Sequence, residues 1–150
     1  MKIAVLFPGQ GSQYLGMGQE FIDSSSACRQ IMESAEKACG APLGELCQKG
    51  PMEELTHAVN LQPAITAVNL MCWQILKDEI DHEKIDCFAG HSLGEYSALF
   101  AADVLTAEDT LRLVAKRGAL MWREGQKHPG GMRAVLGKKI GNKALLFGAI

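Results

Sequence analysis

The sequence lacks the long apolar stretch that a membrane helix requires: no run approaches the roughly 18 residues needed. Its opening, Met1-Lys2-Ile3-Ala4, has no room for the charged and apolar regions of a signal peptide, so a cytoplasmic protein is expected. Cationic excess is missing as well. Fifteen Lys and Arg stand against 17 Asp and Glu, a net charge of −2. That balance argues against a nucleic-acid partner and against a polybasic attachment to membrane. Metal-ligand spacing is also lacking. Cys28, Cys39, Cys47, Cys72 and Cys87 contain no CxxC pair, and His57, His82, His91 and His128 contain no HxxxH. Reduced thiols are expected, with neither a disulfide framework nor a metal site. What is present is 47% hydrophobic residues in a chain of 150, the length of one ordinary domain with a real core. A chain of this size buries roughly 68–70% of its unfolded surface.

Ile3-Ala4-Val5-Leu6-Phe7, stopped by Pro8-Gly9, is a short continuous apolar run, the pattern of a parallel strand buried on both faces. Asp86-Cys87-Phe88-Ala89, ending at Gly90, is a second, and Met132-Arg133-Ala134-Val135-Leu136 a third candidate. The residues between the first two read as helical. The clearest helix spans about Pro63 to Glu79, with Pro63 in its first turn and Leu61, Ala64, Ile65, Val68, Met71, Cys72, Ile75 and Leu76 on one buried face. A helix over Leu93–Ala102 follows Gly90. Another starts at Thr106, where Thr106-Ala107-Glu108-Asp109 resembles a capping box, and runs to about Glu124. Strands spaced by helices predict an α/β fold. Lys138–Ile150 suggests no element.

Gly90-His91-Ser92-Leu93-Gly94 matches G-x-S-x-G between a strand and a helix. A sharp strand-to-helix turn lifts a serine hydroxyl clear of the sheet, and glycines must flank it because a Cβ would collide with neighbouring backbone. The Leu93 N–H, at a helix N-terminus, can then face a developing oxyanion. A second loop, Pro8-Gly9-Gln10-Gly11-Ser12-Gln13, fails both phosphate-binding patterns. Tyr14 breaks G-x-G-x-x-G, and Met17 stands where a P-loop needs Lys. The loop lies where α/β folds line a ligand crevice, so Gln10 either supplies a second oxyanion donor or belongs to a plain tight turn.

Arg117 lies off the polar stripe Glu108, Arg112, Lys116 and Arg123, and within about 60° of Leu113, Val114, Leu120 and Met121 on a helical wheel. A charge there needs an anion. The candidates are a structural carboxylate, Glu95 or Asp103, or a substrate carboxylate gripped by the guanidinium fork. Gly118 beside it would admit another element closely. His91 reads as a lining residue. His128 is the only histidine after Ser92, and so the only one in hydrolase-like order. Met17, Met71 and Met121 read as core filling.

Taken together, Phe7-Pro8-Gly9-Gln10-Gly11-Ser12-Gln13, Gly90-His91-Ser92-Leu93-Gly94-Glu95 and Arg117-Gly118 closely resemble the malonyl-CoA:acyl carrier protein transacylase family, over residues 1 to about 136. The resemblance implies that Ser92 takes malonyl from coenzyme A and passes it to an acyl carrier protein in fatty-acid synthesis, with no separate cofactor. It implies that the Gln10 and Leu93 N–H groups form the oxyanion hole and that Arg117 holds the malonyl carboxylate, with Gln62 near the site. Members of the family are about twice as long. Their catalytic histidine lies in the C-terminal half, beyond a ferredoxin-like small subdomain.

The expected fold is therefore a truncated α/β-hydrolase-like parallel sheet with flanking helices. Residues 1–130 would form a partial large subdomain, and 131–150 the start of the small one with an unassigned tail. General-base assistance is commonly worth ~10²–10⁴, so impaired turnover is expected of this chain alone. An open sheet edge and exposed apolar surface are expected too. Two other readings stand beside this one: a serine esterase or thioesterase of the α/β-hydrolase type with His128 as base, and a non-catalytic remnant that still binds acyl-CoA or carrier protein.

Overall fold

Strands β1 (Ile3–Phe7) and β2 (Ile85–Gly90) pair in parallel, with Ala4 opposite Cys87 and Phe7 opposite Gly90. The computed structural model describes residues 2–130. The third strand candidate and the expected subdomain start over 131–150 lie outside them. A parallel pair needs a long crossover. Here it consists of α1 (Gln19–Ser24), α2 (Ser26–Cys39), α3 (Leu43–Lys49), α4 (Met52–Thr56) and α5 (Ala58–Leu76). After β2 come α6 (Gly94–Ala101) and α7 (Ala107–Lys127). Thr106 caps α7 as its sequence foretold, its Oγ1 accepting from the Asp109 N–H at 3.1 Å.

Helix α5 is the hub, packed against α2, α6 and α7. The one-sided face expected of it is wrong in two ways. Asn60 through Met71 is buried on every side except at Val68, whereas Cys72, Ile75 and Leu76 are exposed. The reason is that three of its polar residues, Asn60, Gln62 and Asn69, are enclosed with partners, although the buried Thr66 hydroxyl has none among the described residues. The Asn60 amide donates to the Glu54 carbonyl at 3.0 Å, and Gln62 and Asn69 are likewise paired. The helix also begins earlier than expected, so Pro63 sits in its second turn rather than its first. Near that start α7 crosses closely. A Cβ on Gly118 would fall on the Ala58 carbonyl oxygen, so the approach foreseen at this glycine is realised.

Among the described residues the strands are covered on one face only, not both. Phe7 packs with Trp73, Ala98 and Ala101, and Val5 and Phe88 lean on that cluster. Ala4, Leu6, Cys87 and Ala89 share the other face and are exposed, Leu6 by 72%. No described element packs over them. No described helix is long and apolar enough to cross a membrane.

The five cysteines are free. Burial, reinforced by the nearby Glu36 carboxylate, pushes the Cys47 thiol up to about 11. The thiolate is the reactive form, so a raised value suppresses reaction at every pH below it. At pH 8, iodoacetamide should modify the exposed Cys87 and leave Cys47 untouched, with Cys47 gaining reactivity only as pH climbs toward 11. Peptide mass mapping checks this, and prompt Cys47 labelling at pH 8 would contradict it.

Candidate active site

Ser92 adopts φ 51°, a left-handed conformation that a non-glycine residue rarely holds. The turn can be this tight because two side chains are missing. A Cβ on Gly90 would fall on the backbone of Gly94 and Glu95, and one on Gly94 would meet the Phe7 carbonyl. The elbow is also tied to the first strand, the His91 N–H donating to the Phe7 carbonyl oxygen at 3.0 Å. Strain of this kind persists only where surroundings over-determine it. Here the strand on one side and α6 on the other do so.

The loop after β1 is braced against the elbow. Gly9 backs onto the His91 carbonyl. The Ser12 hydroxyl donates to the Gly9 carbonyl at 2.7 Å, and the Gly11 N–H donates to Gln13 Oε1 at 2.9 Å. Asn69, buried on α5, donates to the Pro8 carbonyl at 3.0 Å and to Ser97 Oγ on α6 at 3.2 Å. Sequence reasoning missed Asn69 and Ser97. The available signal was an amide inside an otherwise apolar helical stretch. Among the described residues neither the Gln10 nor the Leu93 N–H has a protein acceptor. Both flank the serine elbow and both remain able to donate.

Arg117 reaches across from α7. Its Nη1 donates to Gln62 Oε1 at 2.7 Å and its Nη2 to Ser92 Oγ at 3.2 Å. Neither Glu95 nor Asp103 takes it, which removes the structural-carboxylate alternative among the described residues. Its surroundings also differ from the wheel. Val114 and Gly118 are buried, but Leu113, Leu120 and Met121 are exposed, so Arg117 is half-buried at the rim of the core. Gln62 is fully buried, and its Nε2 donates to Met121 Sδ at 3.0 Å. A thioether sulfur only accepts. The amide nitrogen therefore faces Met121 and the amide oxygen faces Arg117. Met121, read from sequence as filler, orients the partner of the arginine.

Neither of the two remaining histidine candidates hydrogen-bonds Ser92 among the described residues. His91 is exposed beside the Gly9 loop. His128 caps the C-terminus of α7, its N–H bonded to the Glu124 carbonyl at 2.9 Å, about 16 Å along the helix axis from Arg117. No histidine ring hydrogen-bonds Ser92 among the described residues, and no cluster there could hold a metal. That geometry gives the esterase reading with His128 as base nothing to stand on.

The chain matches the acyl transferase domain family over residues 5–146. It is 41% identical over 134 residues to a malonyl CoA-acyl carrier protein transacylase of Bacillus subtilis, covering 89% of this chain and 33% of that protein. The transacylase of the same name from Haemophilus influenzae is 38% identical over 145 residues, 97% of this chain and 46% of the relative. The crystal structure of an acyl carrier protein S-malonyltransferase from Vibrio cholerae superposes with a TM-score of 0.76 at 36% identity, over 87% of this chain and 42% of that one. The chain thus spans between a third and a half of the length of these relatives. The family match takes in most of the chain and the structural match 87% of it, so the chain belongs to the acyl transferase domain family.

Proposed function

We propose that this chain carries the nucleophile half of a malonyl-CoA:acyl carrier protein transacylase serving fatty-acid synthesis. Ser92 Oγ attacks the malonyl thioester carbonyl and the C–S bond breaks. Coenzyme A leaves as a thiol, and a malonyl ester remains on Ser92. Attack by the phosphopantetheine thiol of a carrier protein reverses the sequence and regenerates the serine. The Gln10 and Leu93 N–H groups receive the oxyanion, where one donor is worth roughly 10²–10³ in rate. The family's histidine has no counterpart among the described residues, so the base that moves the Oγ proton comes from elsewhere.

One observation carries the reading: a half-buried guanidinium lies within hydrogen-bond reach of the elbow serine and pairs with no carboxylate among the described residues. A site for a neutral acyl group has no use for such a cation, whereas a malonyl carboxylate matches its fork. Intact mass after mixing with malonyl-CoA tests it. A malonyl adduct absent from Ser92→Ala is expected. Rapid release of free malonate would indicate a hydrolase instead, and no adduct in any chain would leave a remnant that only binds.

A further inference from the structure

Arg117 touches Ser92, and both acceptors on its fork, Gln62 Oε1 and Ser92 Oγ, are neutral. The contact matters to the nucleophile. A serine oxygen attacks through a lone pair, and a cationic N–H donating to that oxygen draws its electron density away and turns it toward the arginine. The two ends of the fork are not held equally. Gln62 is fully buried and fixed from behind by Met121, at 2.7 Å from Nη1, whereas Nη2 reaches an exposed serine at 3.2 Å. The Nη2 end is therefore the one that can exchange partners. A carboxylate brings a full opposite charge to the guanidinium and so competes for Nη2 better than a neutral hydroxyl does. One arriving at the rim displaces the serine and leaves the Gln62 bond as a hinge.

We infer that Arg117 is a carboxylate-released restraint on Ser92: it holds the resting serine in a weakened state and frees it when the carboxylate of an acyl donor takes Nη2. This rests on the reading of Arg117 as the residue facing the acyl group. It adds that neutral acyl donors are rejected in the chemical step as well as in binding, because they leave the restraint on. A carboxylate supplied separately should then free Ser92 toward a neutral electrophile.

The probe is an uncharged alkyl fluorophosphonate. Ser92 Oγ bonds to phosphorus, the P–F bond breaks, fluoride leaves and the Oγ proton passes to buffer. Labelling is followed by intact mass in saturating sodium acetate and in sodium chloride of equal ionic strength. Acetate should speed labelling of the unaltered chain about 3- to 10-fold. Arg117→Ala should label at the faster rate in both salts, and Ser92→Ala not at all. The inference is overturned if acetate slows labelling or leaves it unchanged, or if acetate accelerates Arg117→Ala equally and so acts as a plain base. An absence of labelling in every chain overturns it as well. The malonyl-CoA adduct is read separately. An acetate response without a malonyl ester sinks the transacylase reading alone, and a malonyl ester without an acetate response sinks only the restraint.

Discussion

Arg117→Ala should acylate from malonyl-CoA roughly 10²–10³-fold more slowly than the unaltered chain, while acylation from acetyl-CoA holds or rises. The magnitude follows from what the fork supplies. A carboxylate at Nη2 gains a charged hydrogen bond of about 1.5–3 kcal/mol together with the Coulomb attraction of the pair, and each 1.4 kcal/mol is a factor of ten. Arg117→Lys should recover only part of the loss, because an ammonium is a point charge that cannot match both carboxylate oxygens. Gln62 offers an independent check. Gln62→Leu removes the acceptor at Nη1 and should weaken the malonyl preference in the same direction, by less. Competing malonyl and acetyl donors, resolved by mass, give the preference directly. Equal labelling by the two donors at unchanged rates in Arg117→Ala would remove the carboxylate clamp from the site.

Gly94→Ala should cost at least about 3 kcal/mol of stability and abolish acylation of Ser92. The new methyl would fall on the Phe7 carbonyl, with the Pro8 carbonyl oxygen 2.9 Å away. Both are backbone atoms of the strand and loop that hold the elbow, so nothing flexible is available to give way. Overpacking of this kind typically costs 1–3 kcal/mol even where side chains can move, against a total stability of only about 5–15 kcal/mol. Gly125→Ala on α7 is the matched control. A methyl there meets no atom within 4 Å, and alanine in a helix gains roughly 0.5–1 kcal/mol over glycine. Urea midpoints should move in opposite directions for the two variants. A Gly94→Ala chain with an unaltered midpoint and an intact malonyl adduct would mean that the elbow is not the tight turn described.

The elbow was legible because its demands are local. Gly90, Ser92 and Gly94 sit in one turn, and the sterics that select them act within it. Arg117 was legible as an anomaly on its own helix, but its hydrogen bonds to Gln62 and Ser92 were not. Gln62 and Ser92 meet it only because α7 crosses α5 at Gly118, a relation between elements distant in sequence. The burial of α5 was misread for a related reason. Periodicity counts apolar side chains, whereas Asn60, Gln62 and Asn69 are enclosed because each finds a hydrogen-bond partner that only the assembled fold supplies. The apolar runs of β1 and β2 recorded that both strand faces are oily. They could not record that, among the described residues, only one face is covered.

The pairing of Phe7 with Gly90 also has a kinetic meaning. The two strands that brace the serine, Ile3–Phe7 and Ile85–Gly90, are far apart in the chain, with the whole helical crossover between them. Closing so long a loop is entropically costly before any contact rewards it, and non-local strand pairing of this kind is slow relative to helix formation. The helices around α5 can gather first, leaving the strand pair to dock afterwards. Until it docks, nothing forces Ser92 out of an ordinary backbone conformation, and the Gln10 loop is not braced beside it. The conformation of Ser92 and the placing of the Gln10 loop thus depend on the same long-range strand pairing.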